Sequence, residues 1–233
     1  MAPEVCEEVP VEGIASIMDP LHLCIALSPL SVYLLLLGVI NLSRRPLVTN
    51  GARDAAALGV GISGFVIVGP MELFVPEATV LRLGAFVWLL LLAFYAMCLT
   101  LFVLLMRPRL VIYNIRPDQV RPMLADLVNE LDRESRWAGE CLIIPSLGVQ
   151  LHVEASAAMR NVQLIAAGTH QNYEGWYRLE KTLSSSLRQV RSVRNPYGFS
   201  LVCFSLLMIG AVTFWLVQDA DTVAHSLREM LRL

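Results

Sequence analysis

The feature that most constrains this chain is a set of long runs that contain no charge. Residues 21–42, 83–106 and 197–217 include no Asp, Glu, Lys or Arg. A hydrocarbon core of about 30 Å takes roughly 20 apolar residues at about 1.5 Å each, and all three runs have that reach. Residues 55–75 form a weaker fourth run, interrupted by Gly69-Pro70 and carrying Glu72 near the far end. Four such runs are more apolar surface than 233 residues can shelter in one water-soluble core. Composition agrees, with 56% hydrophobic and 16% charged residues, where an ordinary soluble domain is about 25% charged. Four transmembrane helices are therefore expected, three of them within residues 21–106 and the last at 196–217.

Basic residues flank these runs unevenly, and Lys and Arg are retained on the cytoplasmic side. The first loop carries Arg44, Arg45 and Arg53, and residues 107–195 carry most of the rest, so that 15 of the 18 basic residues fall in these two segments. Residues 1–20 hold Glu4, Glu7, Glu8, Glu12 and Asp19 and no basic residue, which does not fit a secretory signal. The expected layout is an acidic extracytoplasmic tail (1–20), a cytosolic domain (107–195) and an extracytoplasmic amphipathic tail (218–233). Arg supplies 17 of the 18 basic residues, a bias of GC-rich bacterial genes, and the plasma membrane of a bacterium is the expected address.

Between the third and fourth runs the pattern becomes periodic. Arg109-Leu-Val-Ile-Tyr-Asn114 is a short β-rich run. Val120, Leu124, Leu127, Val128 and Leu131 then make one helical stripe, with Pro117 at the first turn. Cys141-Leu-Ile-Ile144 and Val149 to Ala155 read as a hairpin around Pro145-Ser-Leu-Gly148, and Asn161 to Ala167 as a further strand. Trp176, Leu179, Leu183, Leu187 and Val190 mark a second helix. The order β-α-β-β-β-α implies a small α+β sandwich with two helices on one face of an antiparallel sheet. It loosely resembles ferredoxin-like domains, with their terminal strand missing. Its short connectors tie it to the membrane at both ends.

Several letter patterns invite chemistry. Gly59-Val-Gly61-Ile-Ser-Gly64 matches a dinucleotide fingerprint, but no strand precedes it and no acidic residue follows at the required distance. The pairs Ala57 with Gly61 and Gly59 with Ser63 read instead as small residues for helix packing. Glu72 beside Gly69-Pro70 resembles the broken-helix carboxylate of a transporter site, without the second broken segment that such a site pairs with. Cys141, His152 and Glu154 share one side of the hairpin, and Lys181 lies near Ser184, Ser185 and Ser186. An alternating solvated face accounts for both groups. The polar loop Thr169 to Gly175 supplies His170, Asn172 and Tyr173 as the best ligand-contact candidates. Arg107, Arg109, Arg191 and Arg194 stand at the membrane junctions, suited to anionic headgroups.

Five scattered cysteines without a CxxC or a histidine at ligand spacing point to no disulfide framework and no metal. No cofactor motif appears, and a net charge of −2 without an aromatic RNP-type pattern gives no reason to expect nucleic acid. The expected function is a non-enzymatic binding, scaffold or sensor protein with a membrane-apposed domain. Its expected neighbours are the lipid bilayer and either a second copy or another membrane protein. A small transporter or channel subunit is the first alternative, and an enzyme acting at the inner leaflet the second.

Overall fold

The computed structural model describes residues 20–71, 84, 86–156, 160–188, 190, 192 and 195–231. Among them, four helices are long and apolar enough to cross a membrane: α1 (Pro20–Leu42), α2 (Gly51–Val66, prolonged by a π-helical turn at Ile67–Met71), α3 (Phe86–Leu105) and α6 (Pro196–Gln218). Helix α2 begins ahead of the expected position 55 because Asn50 caps it, its side chain accepting from the Ala52 N–H at 3.0 Å. The far end of that run, with Glu72, lies outside the described residues.

Helix α1 packs on α6 and α2, while α3 touches α2 and buries only Val87. Glycines set these approaches. A Cβ on Gly38 would meet the Val202 side chain at 2.6 Å, and one on Gly198 would meet Asn41 Cβ at 2.9 Å, so α1 and α6 cross backbone to backbone. Pro29 lies inside α1, where it cannot donate to the carbonyl of Ile25. Gly64 of α2 sits against that carbonyl, and a Cβ there would stand 2.1 Å from the Ile25 oxygen. One helix thus frees an acceptor at the point where the other presents a backbone without a side chain.

The remaining chain builds one six-stranded antiparallel sheet. Its strands are β1 (Leu47–Asn50), β2 (Arg109–Tyr113), β3 (Arg136–Ala138), β4 (Cys141–Ile144), β5 (Val149–Ser156) and β6 (Asn161–Ala166), ordered β1-β2-β6-β5-β4-β3. Helices α4 (Pro117–Leu131) and α5 (Tyr173–Leu187) cover one face, and α7 (Ala220–Leu231) follows α6. The stripes read from the sequence are the buried ones: Val120, Leu124, Leu127 and Val128 of α4, and Trp176, Leu179, Leu183 and Leu187 of α5. They meet the inward residues of alternating strands, among them Ile112, Leu151 and Leu164.

Two expectations need correction. The order after α3 is β-α-β-β-β-β-α, since Arg136–Ala138 adds an edge strand, and β3 to β6 pair as a meander. The ferredoxin-like pattern, which interposes a helix among those strands, is not the one adopted. The first loop also joins the sheet, as Leu47 to Asn50 pair with Tyr113 to Leu110. A sheet domain bounded at 107 omits that strand.

Two outcomes follow. Gly64→Ala forces α1 and α2 apart at the Ile25 carbonyl, and overpacking of this kind costs about 1–3 kcal/mol. Thermal unfolding in detergent is expected to show the loss, with Ser63→Ala as a near-neutral control. Asp132, which ends α4, accepts from the backbone N–H of Ser146 at 2.8 Å and of Glu134 at 2.9 Å. These hydrogen bonds hold its carboxyl below the ordinary carboxylate range. A carboxyl depressed in the folded state contributes stability above its unfolded pKa and loses it as pH falls through the folded value. Asp132→Asn is therefore expected to melt below the wild type at neutral pH, with the gap closing in acid when melting is followed from pH 7 downward.

Candidate functional site

Strand β2 is where the sheet is fastened to the long helices. At its end Asn114 adopts φ 58°, a left-handed conformation that Asn tolerates better than most residues. Its side chain is fully buried. The amide donates to the Ser43 carbonyl just past α1, and its oxygen accepts from Ser192 Oγ at 3.5 Å. The Ser192 N–H donates to the Arg44 carbonyl at 2.9 Å. Asn195, also buried, caps α6 by accepting from Tyr197 N–H at 3.2 Å and donates to Asn41 Oδ1 at 3.3 Å. Asn41 in turn donates to the Leu37 carbonyl at 2.9 Å. The end of α1, the start of α6 and the end of β2 thus share one dry polar joint.

A second fastening lies on the sheet face opposite α4 and α5. Tyr113 donates to Asp54 Oδ1 of α2 at 2.5 Å, and Arg109 pairs with the other carboxylate oxygen at 3.8 Å. Burial, and then the hydrogen bond to Asp54, pushes the Tyr113 phenol well above its ordinary range, so it remains a donor.

Two openings flank this framework. A cleft of about 260 Å³ lies between the start of α2, the end of α3 and α5, and Arg107, Arg109 and Tyr173 line it. A more open groove of about 670 Å³ runs beside residues 143–150 and is lined by His170 and Asn172. The three ligand-contact candidates of the 169–175 loop therefore divide between two places. Asn172 is engaged as the cap of α5, accepting from Glu174 N–H at 3.0 Å. Gln171, absent from the ligand-contact candidates, braces the groove wall by accepting from Trp176 Nε1 at 2.9 Å and donating to Gln150 O at 3.0 Å.

The other candidates are accounted for in turn. Gly61 faces Tyr33 and Gly64 faces the α1 backbone, whereas Gly59 faces Leu99 of α3 and its carbonyl accepts from Tyr95 at 2.7 Å. Ala57 is exposed, and half-buried Ser63 donates to its own helix at Val60 O, so the glycines of α2 work on two faces rather than along one stripe. Glu72, Arg191 and Arg194 lie outside the described residues.

Cys141 Sγ stands 3.6 Å from His152 Nδ1 across the β4–β5 ladder. Both strands are paired on both sides, so their backbone N–H groups serve the sheet rather than a developing oxyanion. Ser185 and Ser186 both donate to Thr182 O and form no dyad with Lys181. Among the described residues no three His, Cys, Asp or Glu side chains gather to hold a metal ion.

The joint predicts its own test. Asn114→Ala removes the amide's hydrogen bonds to the Ser43 carbonyl and Ser192 Oγ and replaces Asn with a residue that tolerates positive φ less well, together costing about 1–3 kcal/mol. Asn114→Gly keeps the backbone conformation and loses only the amide, so it is expected to unfold between the wild type and the alanine variant in a detergent melt.

Compared with protein families, curated proteins and solved structures, the chain matches none of the three.

Proposed function

We propose that this chain is an integral protein of a bacterial plasma membrane that works without catalysis. In this reading it presents a rigidly mounted α+β domain at the cytoplasmic face to bind a partner or small ligand. The helices α1, α2, α3 and α6 cross the bilayer, and both termini lie outside. The basic residues crowded into the first loop and into residues 107–195 support this orientation.

The observation that carries the reading is the joint in which buried Asn41, Asn114, Ser192 and Asn195 link the two helices to β2, with Asn114 reaching the Ser43 carbonyl. A tethered module that acted independently of its anchor has no use for a shared dry network, whereas a domain whose state must follow the helices needs one. The groove beside His170 is the docking place in this reading. Its walls come from the sheet and the cap of α5, elements that the joint and the core hold in place.

Reporter fusions at Gly148 test the orientation: a green fluorescent protein is expected to fluoresce and alkaline phosphatase to stay inactive, and the reverse pattern overturns it. Hydrogen exchange tests the binding role. Amides of residues 143–150 and 169–172 are expected to exchange more slowly in native membrane vesicles than in the purified chain. Equal exchange at both segments removes the groove as a docking place.

A further inference from the structure

We propose that the cleft between α2, α3 and α5 holds the phosphate of a phospholipid headgroup, with the acyl chains lying along α3. This rests on the bilayer reading above. The cleft brings together three things that an anion requires. The first turn of α2 lines the cleft through Asn50 and Ala52 and adds the positive end of the helix dipole, although the Ala52 N–H is already held by Asn50 Oδ1. Arg107 is exposed and makes no ion pair with any described residue. Arg109 pairs with Asp54 through Nη2, yet its Nε is buried and has no hydrogen-bond partner. The Arg109 guanidinium adds a second positive group to the lining, and exposed Arg107 can give charge-assisted hydrogen bonds to a phosphate. Glu180 is the one acid among the described lining residues, and Arg53 already stands 3.6 Å from it.

The remaining wall points to lipid rather than to a soluble phosphate. Val103 and Leu104 line the cleft, and Leu104 is 75% exposed on a helix whose apolar surface continues away from the opening. Tyr173 and Tyr177 lie on the rim at 75% and 66% exposure, the placement of amphipathic rings at headgroup depth. A soluble phosphate compound gains nothing from such a wall, whereas a glycerolipid fills it with hydrocarbon.

The test uses the full chain in a nonionic detergent, titrated with dioleoylphosphatidylglycerol, dioleoylglycerol or sodium phosphate and read by native mass spectrometry. One phosphatidylglycerol per chain is expected to be retained about tenfold more tightly than the diacylglycerol, as befits charge-assisted hydrogen bonds to one phosphate. Arg107→Gln is expected to abolish that preference, while Arg136→Gln on the far edge strand keeps it. Equal retention of the two lipids, or a preference unchanged in Arg107→Gln, overturns the site. Displacement of the lipid by sodium phosphate overturns the lipid assignment. Alkaline carbonate extraction of membranes carrying the same chains separates the two readings. Release of the wild type into the soluble fraction defeats the bilayer reading, whereas retention without a lipid preference defeats the cleft alone.

Discussion

A side-chain amide buried away from water must find its partners within the protein, because each unmet donor or acceptor costs about 1–3 kcal/mol. Asn114 is such a group, and its partners come from two distant parts of the chain, Ser43 after α1 and Ser192 before α6. A shift of any of the three segments breaks a hydrogen bond of the buried Asn114 amide. The joint therefore fixes at once where α1 ends, where α6 begins and where β2 lies. Asn195 extends the same logic by serving two duties, capping α6 while bonding to Asn41.

The second fastening, from Tyr113 and Arg109 to Asp54, gives β2 a second fixed point on a different helix. A strand held at one point can pivot. A strand held at both ends, with a neighbour on each side in the sheet, cannot. Strand β1 reinforces this because it runs straight into α2, so that its pairing with β2 also orients that helix. The sheet and the helix bundle meet at the adjacent strands β1 and β2.

Much of this was legible in the residues, and the illegible part has a common cause. Charge-free length marks α1, α3 and α6, and spacings of three and four mark α4 and α5, because these are properties of one segment and its surroundings. Residues 47–50 escaped notice because a four-residue strand has little pattern of its own, and its partner lies beyond two long helices. The joint escaped for the same reason: Asn41, Asn114, Ser192 and Asn195 are unremarkable letters until folding brings them together. Asn172 is different. An Asn two residues before the acidic Glu174 and a helical stripe is a capping signal, and reading it as such would have removed it from the ligand candidates. The pairs Ala57 with Gly61 and Gly59 with Ser63 name small residues but not their neighbours, and in the fold Gly59 faces α3 while Gly61 and Gly64 face α1.

The helices are not held equally, and the difference bears on what an occupant of the cleft does. Helices α1, α2 and α6 are bound to one another and to β2 through backbone approaches and buried polar groups. Helix α3 is held to α2 around Gly59, through the Leu99 side chain and the Tyr95 hydrogen bond, and most of its large apolar side chains are exposed. Its end forms one wall of the cleft, while α2, β2 and α5 form the others. A headgroup in the proposed site thus rests against Arg107 and Leu104, on the element with the fewest fastenings to the sheet.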